Sequence, residues 1–235
     1  MKKFLASIVG ALVLVSTPAL AVSKNFTDQM IDTSYQLNYD CSATVIKSEP
    51  DDDLNITTQL LTAAHCVKGT TAGRMIATVK DDSLKVIEEK HIIFDVKKID
   101  TSRDLALLEL RDTTNLYPVA PIAKEIAAEL GDTVYAVGYP LGAAKTVTSG
   151  LFGGYQEIPL ASLNPTKIYL RSSPQISPGN SGGALFQFNE ATLDYEIIGV
   201  TSMGIPVMAH MGLYVKLEDI RKFLDWIVTG KQCTT

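Results

Sequence analysis

The chain has 235 residues, 46% of them hydrophobic and 20% charged, with 21 basic against 26 acidic side chains and a net charge of −5. That composition belongs to a globular protein with a full-sized core, and the acidic balance argues against a nucleic-acid binder. Three cysteines are too few for a disulfide-dense miniprotein and too scattered for a structural zinc site.

The chain opens with Lys2 and Lys3, followed by an apolar run from Phe4 to Val15 that Pro18 breaks. Ala19-Leu20-Ala21 then sets small residues before a cut after Ala21. This pattern predicts a secretory signal peptide over residues 1–21. The run is shorter than the roughly 20 apolar residues of a membrane span, and no later stretch reaches that length. The expected product starts at Val22, is secreted or periplasmic, and has no membrane contact after cleavage.

The rest reads as short β-runs separated by turn signals. Cys41–Ile46 and Gln59–Thr62 are predicted strands joined by a polar tip containing Pro50 and Asp51-Asp52-Asp53. Asp51, Asp53 and Asn55 have calcium-loop spacing, but Ile56 stands where that loop needs glycine and Thr62 where it needs glutamate. A solvated turn is therefore the expectation, and no metal or other cofactor is expected anywhere. Further strands are predicted at Ile76–Val79, Val86–Glu88, Ile92–Val96 and Leu105–Leu110. Arg111 to Pro121 reads as a crossing between two halves. The second half continues with Thr133–Gly138, Lys145–Thr148, Lys167–Leu170, Gly183–Phe188, Glu196–Thr201 and Leu213–Lys216. Leu217, Ile220, Phe223, Leu224 and Ile227 share one face of a predicted helix over 217–229. Many short strands and a terminal helix predict an all-β barrel or sandwich.

Three segments carry chemistry. In Thr62-Ala63-Ala64-His65-Cys66, a histidine at a strand end can present its ring to a cleft as a general base, although alone it reads as readily as a packed residue. In Arg103-Asp104-Leu105-Ala106-Leu107-Leu108, a carboxylate stands before an apolar strand, where it can be partly buried and aimed at an imidazole, or can simply cap the strand. In Pro178-Gly179-Asn180-Ser181-Gly182-Gly183, glycines flank a serine. They allow a sharp turn and a nest of amides beside the hydroxyl, where an acyl-transfer oxyanion develops.

Together these segments resemble the trypsin-like (chymotrypsin-fold) serine endopeptidases, which carry the same His…Asp…Ser order. The resemblance runs from Cys41 to the terminal helix. It includes Gly131-Asp-Thr-Val-Tyr-Ala-Val-Gly-Tyr-Pro140, Gly199-Val-Thr-Ser-Met-Gly204 and Gly212-Leu-Tyr-Val-Lys216. It implies two six-stranded antiparallel β-barrels, about 38–115 and 130–216, with the active site in the cleft between them. It implies Ser181 as nucleophile, His65 as general base, Asp104 as its orienting carboxylate, and the Gly179 and Ser181 amides as oxyanion hole. Ser202 matches the serine that supports the aspartate, and Ser202-Met203-Gly204 the strand that pairs with a polypeptide substrate. By position, Gln175 is expected at the base of the primary pocket, with Gly204 and Gly212 on its walls. No carboxylate stands at that base, which argues against a strict Arg/Lys preference. Cys41 and Cys66 match the family's disulfide pair, and Cys233 is left over.

Asn180 stands where the animal enzymes have an aspartate that pairs with a newly cut N-terminus. An amide cannot form that ion pair, and Gly-Asn-Ser-Gly-Gly looks like the bacterial exported branch. His91 reads as structural, and His210 as a weak candidate for substrate contact. Two alternatives share this scaffold, a silent binding protein and an esterase-type acyl hydrolase on the same triad. The first usually loses a triad member, and the second shares the acyl-enzyme chemistry.

Overall fold

The computed structural model of the chain describes residues 29–80, 86–112, 114–158, 167–204 and 211–229. The expected signal peptide, His210 and Cys233 lie outside the described residues. The first six strands are β1 (Ser34–Leu37), β2 (Cys41–Pro50), β3 (Ile56–Thr62), β4 (Ala72–Lys80), β5 (Val86–Asp100) and β6 (Leu105–Leu110). They close into an antiparallel barrel in the order β1-β2-β3-β6-β5-β4. The second six are β7 (Thr133–Gly138), β8 (Thr146–Ile158), β9 (Lys167–Ser172), β10 (Ala184–Asn189), β11 (Asp194–Gly204) and β12 (Gly212–Lys216). They close in the order β10-β11-β12-β9-β8-β7. A helix, Leu217–Thr229, follows β12 without a break and is not long and apolar enough to cross a membrane.

The architecture is the two-barrel fold with a terminal helix that the motifs imply, and it differs from the sequence reading in its details. The first strand begins at Ser34, before the expected start of the barrel, because Ser34-Tyr-Gln-Leu37 is too short and polar to announce a strand. It pairs with β2 and closes the barrel against β4. The runs at Val86–Glu88 and Ile92–Val96 belong to one 15-residue strand. Its middle, Glu88 to His91, is exposed and charged, and so lacks an apolar pattern. At the β2–β3 turn, one Asp51 carboxylate oxygen accepts the amides of Asp53 and Asn55, both at 2.9 Å.

Three apolar clusters fill the molecule. One lies inside the first barrel, around Leu37, Val45, Leu60, Phe94 and Leu108. Another lies inside the second, around Val134, Leu170, Ile198 and Tyr214. The third joins Leu61, Leu105 and Leu107 of the first barrel to Val137, Phe186, Val200 and Val215 of the second, and takes in Ile220 and Phe223 of the helix. Strands at this seam are therefore buried on both faces. Leu60 points into its barrel and Leu61 into the seam, and Leu107 and Leu108 divide the same way. This explains why Leu105-Ala-Leu-Leu108 is a continuous apolar run and not an alternating one.

Phe223 is fully buried in the shared cluster. Phe223→Ala is expected to cost about 3–5 kcal/mol through lost transfer energy and a cavity. Because the cluster spans both barrels, urea unfolding followed by fluorescence and circular dichroism should shift as a single transition. Separate transitions for the two probes would mean that the barrels unfold independently.

Candidate active site

The three motifs meet at the seam. β3 ends at Thr62 and the chain turns through a 3-10 turn, Ala64–Cys66, that carries His65. A disulfide joins Cys66 to Cys41 at the start of β2, with Cα atoms 6.0 Å apart, and ties this turn to the barrel. Cys41, His65 and Cys66 hold ligand-type atoms within 4.8 Å of one another. Both sulfurs are spent in the disulfide, so only the imidazole is left as a donor.

Asp104 precedes β6 in the left-handed region, at a φ of 59°. The loop before it is fixed by Asp100, whose carboxylate accepts Ser102 N (3.0 Å), Ser102 Oγ (2.6 Å) and Arg103 N (3.0 Å). Arg103 bridges Asp100 at 2.5 Å and reaches Asp219 of the helix at 3.8 Å. So held, Asp104 points both oxygens at His65 Nδ1, each at 3.0 Å, and accepts the His65 backbone amide at 3.0 Å. Ser202 Oγ donates to Asp104 Oδ2 at 2.6 Å. Ser202 can do so because the β11–β12 register slips between Thr201 and Met203, leaving Ser202 as the extra residue of a bulge.

Burial disfavours the Asp104 carboxylate, but the hydrogen bonds from His65 and Ser202 outweigh it and hold its pKa below the ordinary value. The same hydrogen bond raises His65 above its ordinary value, against a smaller opposing effect of burial.

Ser181 lies in a tight loop bounded by Gly179 and Gly182, at φ of 98° and 83°. Gly182 N donates to Thr201 O at 2.8 Å and Gly183 N to Asn180 O at 2.9 Å. Pro178 O accepts Leu141 N at 2.6 Å, which turns the Gly179 N–H the opposite way across its peptide plane. Among the described residues, neither Gly179 N–H nor Ser181 N–H donates to protein, so both amides are free for an anion. The Cys66 sulfur, which has no proton in the disulfide, lies 3.5 Å from Ser181 O and brings the histidine turn against the serine loop. Among the described residues, no hydrogen bond joins Ser181 Oγ to His65.

Met203 is 38% exposed. β10 pairs with β11 only as far as Val200, so residues 202–204 have β12 on one side and an open edge on the other. Gly204 and Gly212 face each other in that ladder. Gln175 is exposed and lines a cavity of about 140 Å³ with Pro140, Thr146, Thr148, Ser177 and Asn180. Its neighbour Ile176 has Cδ1 3.0 Å from where a Gly212 Cβ would stand. His91 lies on β5, paired with Ile76 of β4 and 3.4 Å from Tyr39 Oη.

The two barrels, with the histidine, aspartate and serine motifs meeting at their seam, are the arrangement of a trypsin-like peptidase domain. The family described as trypsin-like peptidase domain matches residues 41–193, and the chain belongs to it. Among similar proteins, Serine endoprotease DegS of Escherichia coli K12 is 27% identical over 239 residues, covering 90% of this chain and 66% of its own. Putative serine protease HhoA of Synechocystis is 26% identical, covering 73% of this chain and 40% of its own. The chain thus spans at most about two thirds of the length of these relatives. The solved structure of Rv3671c from M. tuberculosis H37Rv, in an inactive form, superposes with a TM-score of 0.67 at 19% identity. That match covers 95% of this chain and 100% of the other.

The His65 C2–H resonance in a proton NMR titration should have a midpoint above 6.5, and Asp104→Asn should lower it. The raised His65 stabilises the fold below about 6.5, and this is lost as pH rises through its folded midpoint. The lowered Asp104 adds stability above about 3.9, lost as pH falls through its own. A midpoint at or below 6.5 would contradict the ion-paired geometry. Separately, the disulfide closes a 25-residue separation, and replacing both cysteines by serine should cost about 3 kcal/mol, read as a lower urea midpoint.

Proposed function

We propose that the protein is an exported endopeptidase that cleaves polypeptides through a Ser181–His65–Asp104 triad and an acyl-enzyme intermediate. The observation that carries this reading is the Asp104 carboxylate at 3.0 Å from His65 Nδ1, which leaves Nε2 as the proton acceptor. On substrate binding the Ser181 hydroxyl turns to Nε2. Its oxygen attacks the scissile carbonyl carbon as the proton passes to His65. The carbonyl oxygen takes up negative charge between the Gly179 and Ser181 amides, each such donor contributing ~3 kcal/mol. Collapse breaks the C–N bond, His65 returns the proton to the leaving amine, and the ester of Ser181 remains. Water, deprotonated by His65, then releases the acid.

The polypeptide runs in extended form along the open edge at Ser202-Met203-Gly204, adding a strand to the second barrel. Gly204, Gly212 and Ile176 lie beside this edge and none of them carries a charge, which argues against a strict Arg/Lys preference. Export rests on the residue 1–21 pattern, with cleavage after Ala21 and a secreted or periplasmic product.

The test is covalent and kinetic together. Diisopropyl fluorophosphate should label Ser181 of the mature protein stoichiometrically, and Ser181→Ala should abolish both labelling and cleavage of casein at internal bonds. Asp104→Asn should reduce kcat by about 10⁴-fold. The acid limb of kcat/KM should fall above pH 6.5, because only the neutral imidazole accepts a proton and Asp104 raises its midpoint. Ester hydrolysis without peptide cleavage would favour the acyl-hydrolase alternative, and labelling that survives Ser181→Ala would refute the nucleophile.

A further inference from the structure

Ser42, the second residue of β2, is fully buried on the seam side of the first barrel, opposite Cys41 and Ala43, which face the barrel core. Each of its polar atoms has a fixed partner. Its N donates to Ser181 O at 2.8 Å. Its carbonyl accepts Thr62 Oγ1 at 2.7 Å. Its hydroxyl donates to Gly179 O at 2.8 Å and accepts Tyr139 N at 2.9 Å. One residue of the first barrel therefore grips both residues whose amides form the anion nest of the second.

We propose that Ser42 is a positioning residue that keeps the oxyanion hole formed. The inference rests on the proteolytic reading above. The orientation of the Gly179 N–H depends on the peptide planes on either side of it. The plane before Gly179 is held at Pro178 O by Leu141 N. The plane after it is held at both ends, at Gly179 O by the Ser42 hydroxyl and at the Asn180 N–H by Ser177 O at 3.0 Å, and of these two only the Ser42 hold comes from outside the loop. Gly179 has no Cβ to restrict its backbone and sits at a φ of 98°, so without the Ser42 hydroxyl only bonds from within the second half, Leu141 N to Pro178 O and Asn180 N to Ser177 O, hold its two planes, and its N–H can swing further from the nest. The Tyr139 amide directs the hydroxyl proton, because an oxygen accepting from Tyr139 N points its own hydrogen at Gly179 O. Ser42 touches neither the reacting bond nor His65. Its effect should appear where the oxyanion is stabilised and nowhere else.

Ser42→Ala should lower kcat by about tenfold or more, a fraction of the loss on deleting a hole donor outright, with KM within about twofold of the parent. Affinity for a peptide aldehyde, whose hemiacetal oxygen occupies the hole, should fall by the same factor. The His65 NMR midpoint should not move. A parental kcat, or a loss carried by KM or by a shifted His65 midpoint, would overturn the proposal. Two NMR readouts are independent of activity. In the parent, the Ser42 hydroxyl proton, shut from solvent, should exchange slowly enough to give its own resonance with contacts to the Tyr139 amide. In Ser42→Ala the Gly179 amide resonance should broaden or shift. A fast-exchanging hydroxyl in the parent overturns the anchor even if the variant cannot be purified. If the parent neither cleaves peptides nor binds the aldehyde, the proteolytic reading fails, and the two resonances still decide whether Ser42 holds Gly179.

Discussion

The closeness of Gly182 to the end of β3 sets how the two barrels can meet. A Cβ at position 182 would lie 2.1 Å from Thr62 Oγ1 and 2.3 Å from Ser42 O, and the residue sits at a φ of 83°. Only glycine meets both conditions. That contact draws the serine loop against the strand that ends in the histidine turn, and the rest of the site follows from it. Ser42 N reaches Ser181 O, the Cys66 sulfur packs on the same carbonyl, and Gly179 O accepts the Ser42 hydroxyl. An active site built across a seam usually risks losing its register when the halves shift. Here two carbonyls of the serine loop, Gly179 O and Ser181 O, have their donors in the first barrel, so sliding would strand buried hydrogen-bonding groups.

Charge in this seam is handled by layering. Asp104 is the carboxylate in contact with His65, and Asp100, Arg103 and Asp219 form a second set one step back. Lys167 lies close enough to feel Asp104, Asp219 and Asp100, while burial pulls its own pKa down. Asp219 is pushed up by burial, against the pull of Lys216, Arg103 and Lys167. The Asp104 carboxylate thus stays ionised although largely enclosed, because the His65 ring, the Ser202 hydroxyl and the His65 amide all face it. A buried carboxylate without such a setting would take up a proton and lose its hold on the imidazole.

Much of this was legible in the sequence, for reasons the structure makes physical. Strands at the seam are buried on both faces, so Leu105–Leu108 and Ala184-Leu-Phe186 appear as continuous apolar runs beside the very residues that carry chemistry. The helix was legible because Leu217, Ile220 and Phe223 fall at helical spacing and all three are buried. Ser34–Leu37 was missed because a four-residue strand offers no period to read. Position relative to Ser181 does not tell which way a side chain turns in an irregular loop, and here Gln175 lines a cavity with Asn180 while Ile176 approaches Gly212. Ser42 was passed over because a serine between cysteine and alanine reads as any outward-facing strand residue. Its burial arises only when the second barrel arrives, an event that local pattern does not encode.

Asn180 connects these points. Its side chain is 7% exposed and lines the small cavity with Thr146, Thr148, Gln175 and Ser177, all neutral. An aspartate there would bury a negative charge among hydroxyls and amides with no cation in the lining, and burial would drive it toward the protonated form. The amide avoids that demand, so the loop needs no cationic partner to hold its shape. What holds it instead is a set of neutral hydrogen bonds, Leu141 N to Pro178 O, Ser42 Oγ to Gly179 O and Asn180 N to Ser177 O, at 2.6, 2.8 and 3.0 Å. None of these donors or acceptors titrates near neutral pH. The nest can therefore keep its form across a range in which His65 changes charge, which leaves the imidazole as the group through which pH acts on the site.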